Sequence, residues 1–262
     1  MRKFITSIIL IFLIISCTQQ KTNVKKETKV DKFQNVENET LVSLSKDSLK
    51  KKKLKEAKEY LSELKEREVN NYDSEILWGR YYYAKNNYNK SKEIFKNLYT
   101  KYPRNSLVNY YMGLINNDQK FYSAAVRYFL KAYRNGYRSR SLILKLTDIL
   151  MREGNYPRAI SFFHDHLKNN KKDPYIRYNL AMAYYYSGKA QDGIDQLKLS
   201  SYYNKNYPLT YYGLGYIYYN LAKNNSSYKY DARRYLNKFL KLENNRNYLI
   251  KRAKKYLKNL RR

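Results

Sequence analysis

Small residues recur along the chain at a spacing of 34 positions, each within a stretch patterned as an amphipathic helix. Five of them follow one another without a gap: Gly79, Gly113, Thr147, Ala181 and Gly215. In the first four periods a second small residue follows twelve positions later: Ser91, Ala125, Ala159 and Gly193. A large apolar residue stands four positions further on: Phe95, Phe129, Phe163 and Leu197. Because residues four apart lie on one helix face, the pattern predicts two helices per period, which approach closely at the small residues.

The period divides most of the chain into five predicted repeats. Their ranges are 72–105, 106–139, 140–173, 174–207 and 208–246. The fifth contains an insertion at Asn224–Tyr228, because Ala232 falls five positions later than the period requires. Residues 41–71 are predicted as a degenerate leading repeat or a capping helix, and residues 247–262 as a C-terminal capping helix that shields the last apolar face.

The residues at these repeated positions resemble those of the tetratricopeptide repeat family. The first repeat matches the family's large-small, aromatic, small, aromatic, apolar and terminal-proline positions with Trp78-Gly79, Tyr82, Ser91, Phe95, Leu98 and Pro103. The resemblance covers roughly residues 40–262 and implies an all-α fold, a right-handed superhelical solenoid of antiparallel helix pairs. With 8 Gly and 4 Pro in 262 residues, the chain also has few of the turn signals that a sheet-rich protein needs.

The N-terminus has the order of an export signal. Arg2 and Lys3 precede an apolar run from Phe4 to Ile15, which Ser16-Cys17 closes. The run is shorter than the roughly 20 residues that a membrane-spanning helix requires, so residues 1–16 are predicted as a signal peptide that is removed. An uncleaved helix, with the cysteine as a small buried residue, is the alternative.

The single cysteine of the chain, Cys17, is the predicted lipidation site. The segment Ile14–Cys17 resembles a bacterial lipobox, which implies that the cysteine becomes the first residue and is acylated, for example with palmitate. Residues 17–40 are predicted as this lipidated cysteine and a flexible tether, because they are polar and lysine-rich. The expected location is the cell envelope, lipid-anchored to a membrane at its periplasmic face or at the cell surface.

The resemblance also implies where partners bind, namely the concave surface lined by the first helix of each repeat. With the small residue taken as position 8, positions 2, 5, 9, 12 and 13 face inward. The partner-binding residues predicted there are Tyr83, Tyr110, Tyr175, Tyr178, Met182, Tyr185, Tyr186, Tyr212, Tyr216, Tyr219, Arg80 and Arg152. Tyrosine offers a large rigid surface with a polar tip, so this groove suits peptides. The alternative is compositional, since 33 tyrosines in 262 residues must occupy some inward positions.

The charge and the export signal together favour a scaffold in the envelope. The chain has 53 Lys and Arg against 22 Asp and Glu, a net charge of +31, which attracts acidic partners such as anionic envelope polymers or lipids. The predicted function is that of a membrane-anchored scaffold or adaptor, which binds peptide or protein partners in the tyrosine-rich groove. The alternative is a basic solenoid that binds nucleic acid or other polyanions. The export signal disfavours nucleic acid.

Catalytic and metal-binding patterns are missing from the sequence. His164 and His166 are the two histidines, and their spacing of two points them to different helix faces, so they do not form a metal site together. His166 occupies a packing position. The pair Asp192 and Asp195 is typical of a solvated helix face. We therefore predict no enzyme activity, no cofactor and no metal.

Overall fold

The structure, a computed structural model, describes residues 33–260. Within this span the chain forms thirteen α-helices, one short 3-10 helix and no strand. The predicted signal peptide, Cys17 and most of the tether lie outside the described residues. The described residues form two compact units, 33–101 and 102–260, called unit 1 and unit 2 below.

Unit 1 contains two helical hairpins. Its helices are α1 (Asn38–Lys50), α2 (Leu54–Glu66), α3 (Tyr72–Ala84) and α4 (Tyr88–Lys101). The side chain of Asn71 accepts a hydrogen bond from the backbone N–H of Ser74, which fixes the start of α3. The core is formed by apolar side chains that are at most 8% exposed, including Leu41, Leu61 and Leu77.

Unit 2 continues the same arrangement over nine α-helices. They are α5 (Ser106–Asp118), α6 (Tyr122–Arg134), α7 (Arg140–Arg152), α8 (Tyr156–Asn169), α9 (Pro174–Tyr186), α10 (Ala190–Tyr203), α11 (Pro208–Leu221), α12 (Lys229–Leu242) and α13 (Asn247–Leu260). Three helices of this unit are capped by side chains that accept hydrogen bonds from backbone N–H groups: α5 by Asn105, α7 by Ser139 and α9 by Asp173. The 3-10 helix Ser226–Tyr228 lies between α11 and α12, within the stretch predicted as an insertion.

The repeated small residues lie where paired helices touch. In unit 1, the hydroxyl of Ser91 donates to the carbonyl of Gly79 at 2.9 Å. In unit 2, a Cβ atom placed on Gly113 would lie 2.5 Å from the ring of Phe129, so a larger residue would displace that ring. The prediction of an all-α solenoid of helix pairs is confirmed. In residues 33–260, every helix is too short or too polar to cross a lipid bilayer.

Candidate functional site

Tyrosines of α9 and α11 form one aromatic cluster in unit 2. The ring of Tyr185 lies 5.3 Å from that of Tyr186 and 5.5 Å from that of Tyr216, measured between ring centroids. Tyr216 in turn stacks on Tyr212 at 6.4 Å. Such pairs contribute about 0.5–1.5 kcal/mol each beyond the area they bury. Sequence reasoning placed these four tyrosines at inward positions of successive repeats, and the structure brings them together.

The C-terminal helix α13 adds three residues to this cluster. Tyr256 stacks on Tyr219 with 4.4 Å between ring centroids, and it lies 5.9 Å from the ring of Tyr216. The guanidinium of Arg252 donates to the hydroxyl of Tyr256 at 2.9 Å and 3.2 Å. Asn259 donates to the hydroxyl of Tyr219 at 2.9 Å. We call this set, from α9, α11 and α13, the tyrosine cluster.

Neither Arg252 nor Tyr256 was predicted as a site residue. Both lie on the helix that was interpreted only as a cap, and no repeat position identifies them. The available signal was their spacing of four, which places an arginine and a tyrosine on one helix face directly after the tyrosine-rich repeats.

The cluster is electrically neutral apart from Arg252. Burial raises the pKa of Tyr186 and Tyr212, and that of Tyr178 on α9 outside the cluster, well above that of free tyrosine, so these hydroxyls keep their protons near neutral pH. The hydrogen bond to Tyr256 raises the pKa of Arg252 further, so its charge is permanent. The site therefore offers aromatic rings, neutral hydroxyls and one cation.

The predicted contact residues of this region differ in how far they are exposed to solvent. Tyr186 is 49% exposed and stacks on Tyr156 at 6.0 Å, which holds its ring at the surface. Tyr212 and Met182 are only 3% and 8% exposed. Tyr212 packs edge-on against Phe239 at 5.2 Å. The structure thus corrects the expectation that these two residues line an open surface, because the neighbouring helices cover them.

A family model of the tetratricopeptide repeat (TPR) matches residues 76–138. The fold is similar to that of YrrB, a TPR protein with an unusual peptide-binding site, with a TM-score of 0.60 and 15% identity over 74% of this chain and 97% of YrrB. It is also similar to PilF of Pseudomonas aeruginosa, with a TM-score of 0.63 and 17% identity over 78% of this chain and 91% of PilF. Residues 76–138 are tetratricopeptide repeats, and the described part of the chain has the tetratricopeptide repeat fold.

A further comparison agrees on the TPR fold. The C-terminal part of a TPR protein from Cytophaga hutchinsonii is similar with a TM-score of 0.63 and 18% identity, over 77% of this chain and 78% of that one. At these identities the likeness shows the fold alone. Among curated protein sequences, no significant match was found. TPR proteins are typically non-enzymatic scaffolds for protein or peptide partners.

The remaining predicted site residues of unit 2 lie outside the ring contacts of the cluster. Tyr110 is 6% exposed, packs on Tyr137 at 4.6 Å and shares a hydrogen bond with Ser141 at 2.7 Å. Burial raises the pKa of Tyr110 to about 12. Here too the expected open surface is replaced by core packing. Arg152 is exposed and pairs with Asp148 at 2.7 Å on the same helix, α7.

Tyr175, on α9, is half-buried and lies 5.2 Å beneath the guanidinium of Arg140. This contact holds the ring beside a cation. The role of Tyr175 as a partner contact stays a prediction.

Two predicted site residues belong to unit 1. Tyr83 is half-buried and lies 5.6 Å from the ring of Tyr88. The Nε atom of Arg80 is buried without a hydrogen-bond partner in the described part of the chain. Their role as partner contacts stays a prediction, as does that of Arg152.

The histidines lie apart from any metal-binding group. The Nε2 atom of His164 lies 2.7 Å from the hydroxyl of Tyr184, with which it hydrogen-bonds. His166 is 8% exposed, as expected of a packing position, and lies 3.4 Å from a carboxylate oxygen of Asp173. Residues 33–260 contain no group of three or more His, Cys, Asp or Glu side chains that could hold a metal ion.

Proposed function

We propose that this TPR protein is a scaffold that holds a peptide segment of a partner protein on the tyrosine cluster. The observation that carries the proposal is the half-exposed ring of Tyr186 on a cluster whose other rings are largely covered, together with the exposed guanidinium of Arg252 that is held by Tyr256. Tyrosine and arginine are among the residues that contribute most to binding at protein interfaces, especially where they are held rigidly.

The chemistry of the site favours an extended peptide. A peptide backbone offers carbonyl oxygens to the guanidinium of Arg252 and to tyrosine hydroxyls, while apolar side chains contact the rings. Because Tyr156 and Tyr185 already hold the ring of Tyr186, binding immobilises few additional rotamers. Specific recognition is thus achieved at a small entropic cost.

The proposal includes an anchor in the bacterial cell envelope. A lipid on Cys17 would tether the scaffold to a membrane, at its periplasmic face or at the cell surface, and the support for this is the lipobox-like segment before that residue. A net charge of +31 would bring the body close to anionic envelope polymers or lipids.

Photo-crosslinking in intact cells tests the binding surface. A photoreactive phenylalanine replaces Tyr186 in one variant and Tyr202 in a matched control, because Tyr202 is 76% exposed on α10 and makes no ring contact with the cluster. We expect a defined protein adduct from position 186 alone. The crosslinked segment, purified, should bind the Arg252→Ala chain at least about tenfold more weakly than wild type. Equal adducts from both positions, or unchanged binding, would contradict the proposal.

Mass spectrometry of membrane fractions tests the anchor separately. We expect the mature chain to begin at Cys17 and to carry added acyl mass, and the Cys17→Ala variant to lack it. Recovery of an intact chain from Met1 in the soluble fraction would overturn the anchor and favour the polyanion-binding alternative.

A further inference from the structure

A second site is present in unit 1, far from the tyrosine cluster in sequence. A groove with a cavity volume of about 320 Å³ lies between α2 and α4, with α3 as its floor. Its floor carries the aromatic side chains of Trp78 and Tyr82, and Ile94 lines the wall formed by α4. This volume is at the lower end of the range of roughly 300–1,000 Å³ typical of small-molecule sites.

The aromatic floor is held in place by its neighbours. The rings of Trp78 and Tyr82 stack on each other, with 5.8 Å between their centroids and 27° between their planes, so each ring limits the motion of the other. Tyr81, which is 4% exposed, packs edge-on against Trp78 at 5.6 Å. The floor is therefore preorganised, which lowers the entropic cost of binding.

The residue at the position of Ile94 differs in each of the four later repeats. The position of Ile94 is occupied by Tyr128 and Phe162 at successive intervals of 34 residues. Phe162 packs edge-on against Tyr133 at 5.0 Å. In the fifth repeat the insertion shifts the equivalent position by five residues, and Tyr235 occupies it.

The fourth and fifth repeats use other contacts at this place. Tyr235 stacks on Tyr218 at 5.7 Å. Gln196 occupies the position in the fourth repeat and accepts a hydrogen bond from Arg177 at 2.9 Å. In the second, third and fifth repeats a larger aromatic side chain thus stands at the position where the first repeat has Ile94 and the groove.

The rim of the groove is polar and carries a net positive charge. Lys65 and Lys101 line it together with one carboxylate, Glu75, and Lys101 lies 3.4 Å from that carboxylate. The side-chain amides of Asn70 and Asn97 also line the groove and make no hydrogen bond within residues 33–260. A ligand with several hydroxyl groups and one negative charge would satisfy all of these groups.

We propose that this groove binds a sugar ring that carries a carboxylate, such as a hexuronate. The C–H face of the ring would lie on Trp78 and Tyr82, its hydroxyls would reach the two asparagine amides, and its carboxylate would pair with the lysines. An amino sugar would be repelled by the two lysines. A plain aliphatic carboxylate would leave the amides and the aromatic floor without partners.

The single tryptophan of the chain makes the test direct. Trp78 is the only tryptophan, so the indole fluorescence of the full-length protein reports on this groove alone. We expect a saturable change on titration with glucuronate, at concentrations at least tenfold lower than with glucose or acetate. No saturable change with glucuronate or galacturonate, or equal responses to glucose or acetate, would overturn the proposal.

Two variants locate the binding. Ile94→Tyr installs the residue that the next repeat has at this position and should abolish the glucuronate response, while the control Ile94→Val should keep it. Lys101→Gln, at an exposed position, should weaken glucuronate binding at least tenfold without changing the circular dichroism spectrum. Wild-type affinity in both Ile94→Tyr and Lys101→Gln would show that the groove is not the site. The site is independent of the peptide scaffold, so Arg252→Ala should leave the glucuronate response unchanged.

Discussion

Asp173 joins three elements of unit 2 through one carboxylate. Its Oδ1 atom accepts hydrogen bonds from the backbone N–H groups of Tyr175 and Ile176, both at 3.1 Å, and so caps α9. Its Oδ2 atom accepts from Arg140 on α7 at 2.6 Å and lies 3.4 Å from His166 on α8. Burial opposes ionisation, but Arg140, the backbone N–H groups and the charge of His166 outweigh it and lower the pKa of Asp173.

This lowered pKa predicts a pH dependence of stability. A carboxylate whose pKa is lower in the folded state stabilises the fold above its unfolded pKa of about 3.9, and this contribution disappears as pH falls through the folded value. Asp173→Asn keeps a capping side chain but removes the charge, so we expect a loss of about 1 kcal/mol at pH 7. The difference from wild type, measured by urea unfolding, should shrink between about pH 4 and pH 2. A constant difference over that range would contradict this account.

The depth of a side chain is the residue property that the sequence predicted least well. Repeat positions located Tyr110, Met182 and Tyr212 on the correct helices, since the period fixes the helix face. Their burial depends on the next helix in space, which covers these positions in unit 2. Tyr186 stays half-exposed because it is the last residue of α9 and projects beyond that cover.

At the scale of elements, α13 both closes the apolar core of unit 2 and completes its candidate site. Leu249, Ala253 and Leu260 are buried along one face of the helix. Arg233 of α12 donates a hydrogen bond to the carbonyl of Leu260, which fixes the end of the helix. Docking of α13 is therefore required for Arg252 to reach the tyrosine cluster.

A charge placed on the buried face should undock this helix. Ala253 is 0% exposed, and an arginine there has neither space nor a partner, so Ala253→Arg should cost several kcal/mol of local stability, roughly 3 or more. Hydrogen exchange followed by mass spectrometry should show loss of protection over residues 247–260, with little change in α5 to α8. The control Lys255→Ala alters an exposed position of the same helix and should leave protection unchanged. Retained protection in Ala253→Arg would refute this role for α13.

The helices themselves were predictable because their packing needs small and large residues at fixed intervals. The turns were harder to predict from the sequence. Several hairpin turns use non-glycine residues with positive φ, namely Lys52, Glu68, Asn86 and Lys120, at φ values of 57° to 66°. Within residues 33–260, Gly136, Gly154 and Gly188 mark comparable turns with the residue that this conformation favours. A signal based on glycine alone therefore misses most turns of the first three hairpins.

For the whole molecule, we expect the repulsion among the excess positive charges to exceed the attraction within local ion pairs. Pairs such as Asp47 with Lys51 and Asp148 with Arg152 are largely exposed. Exposed pairs contribute at most about 1 kcal/mol each. The positive charges that give the chain its net charge of +31 repel one another in the folded state. Screening by salt should therefore remove more repulsion than attraction.

Salt should therefore stabilise the protein. Raising sodium chloride from 20 to 300 mM shortens the screening length from about 20 Å to about 6 Å, and we expect the thermal midpoint to rise by several degrees. Circular dichroism at 222 nm measures the midpoint, and choline chloride serves as a control for specific ion binding. A midpoint that falls with salt would show that ion pairs, rather than repulsion, dominate the electrostatic energy.

The stretch Asn224–Tyr228 has a practical consequence for following this protein in cells. Its first four residues are exposed and stand outside the 34-residue period, between α11 and α12. Sequence added at such a place disturbs little packing. An epitope or small fluorescent tag inserted there would leave Cys17 free for the lipidation proposed above and α13 free to dock. Both ends of the chain, where labels are usually fused, would thus stay as they are in the unlabelled protein.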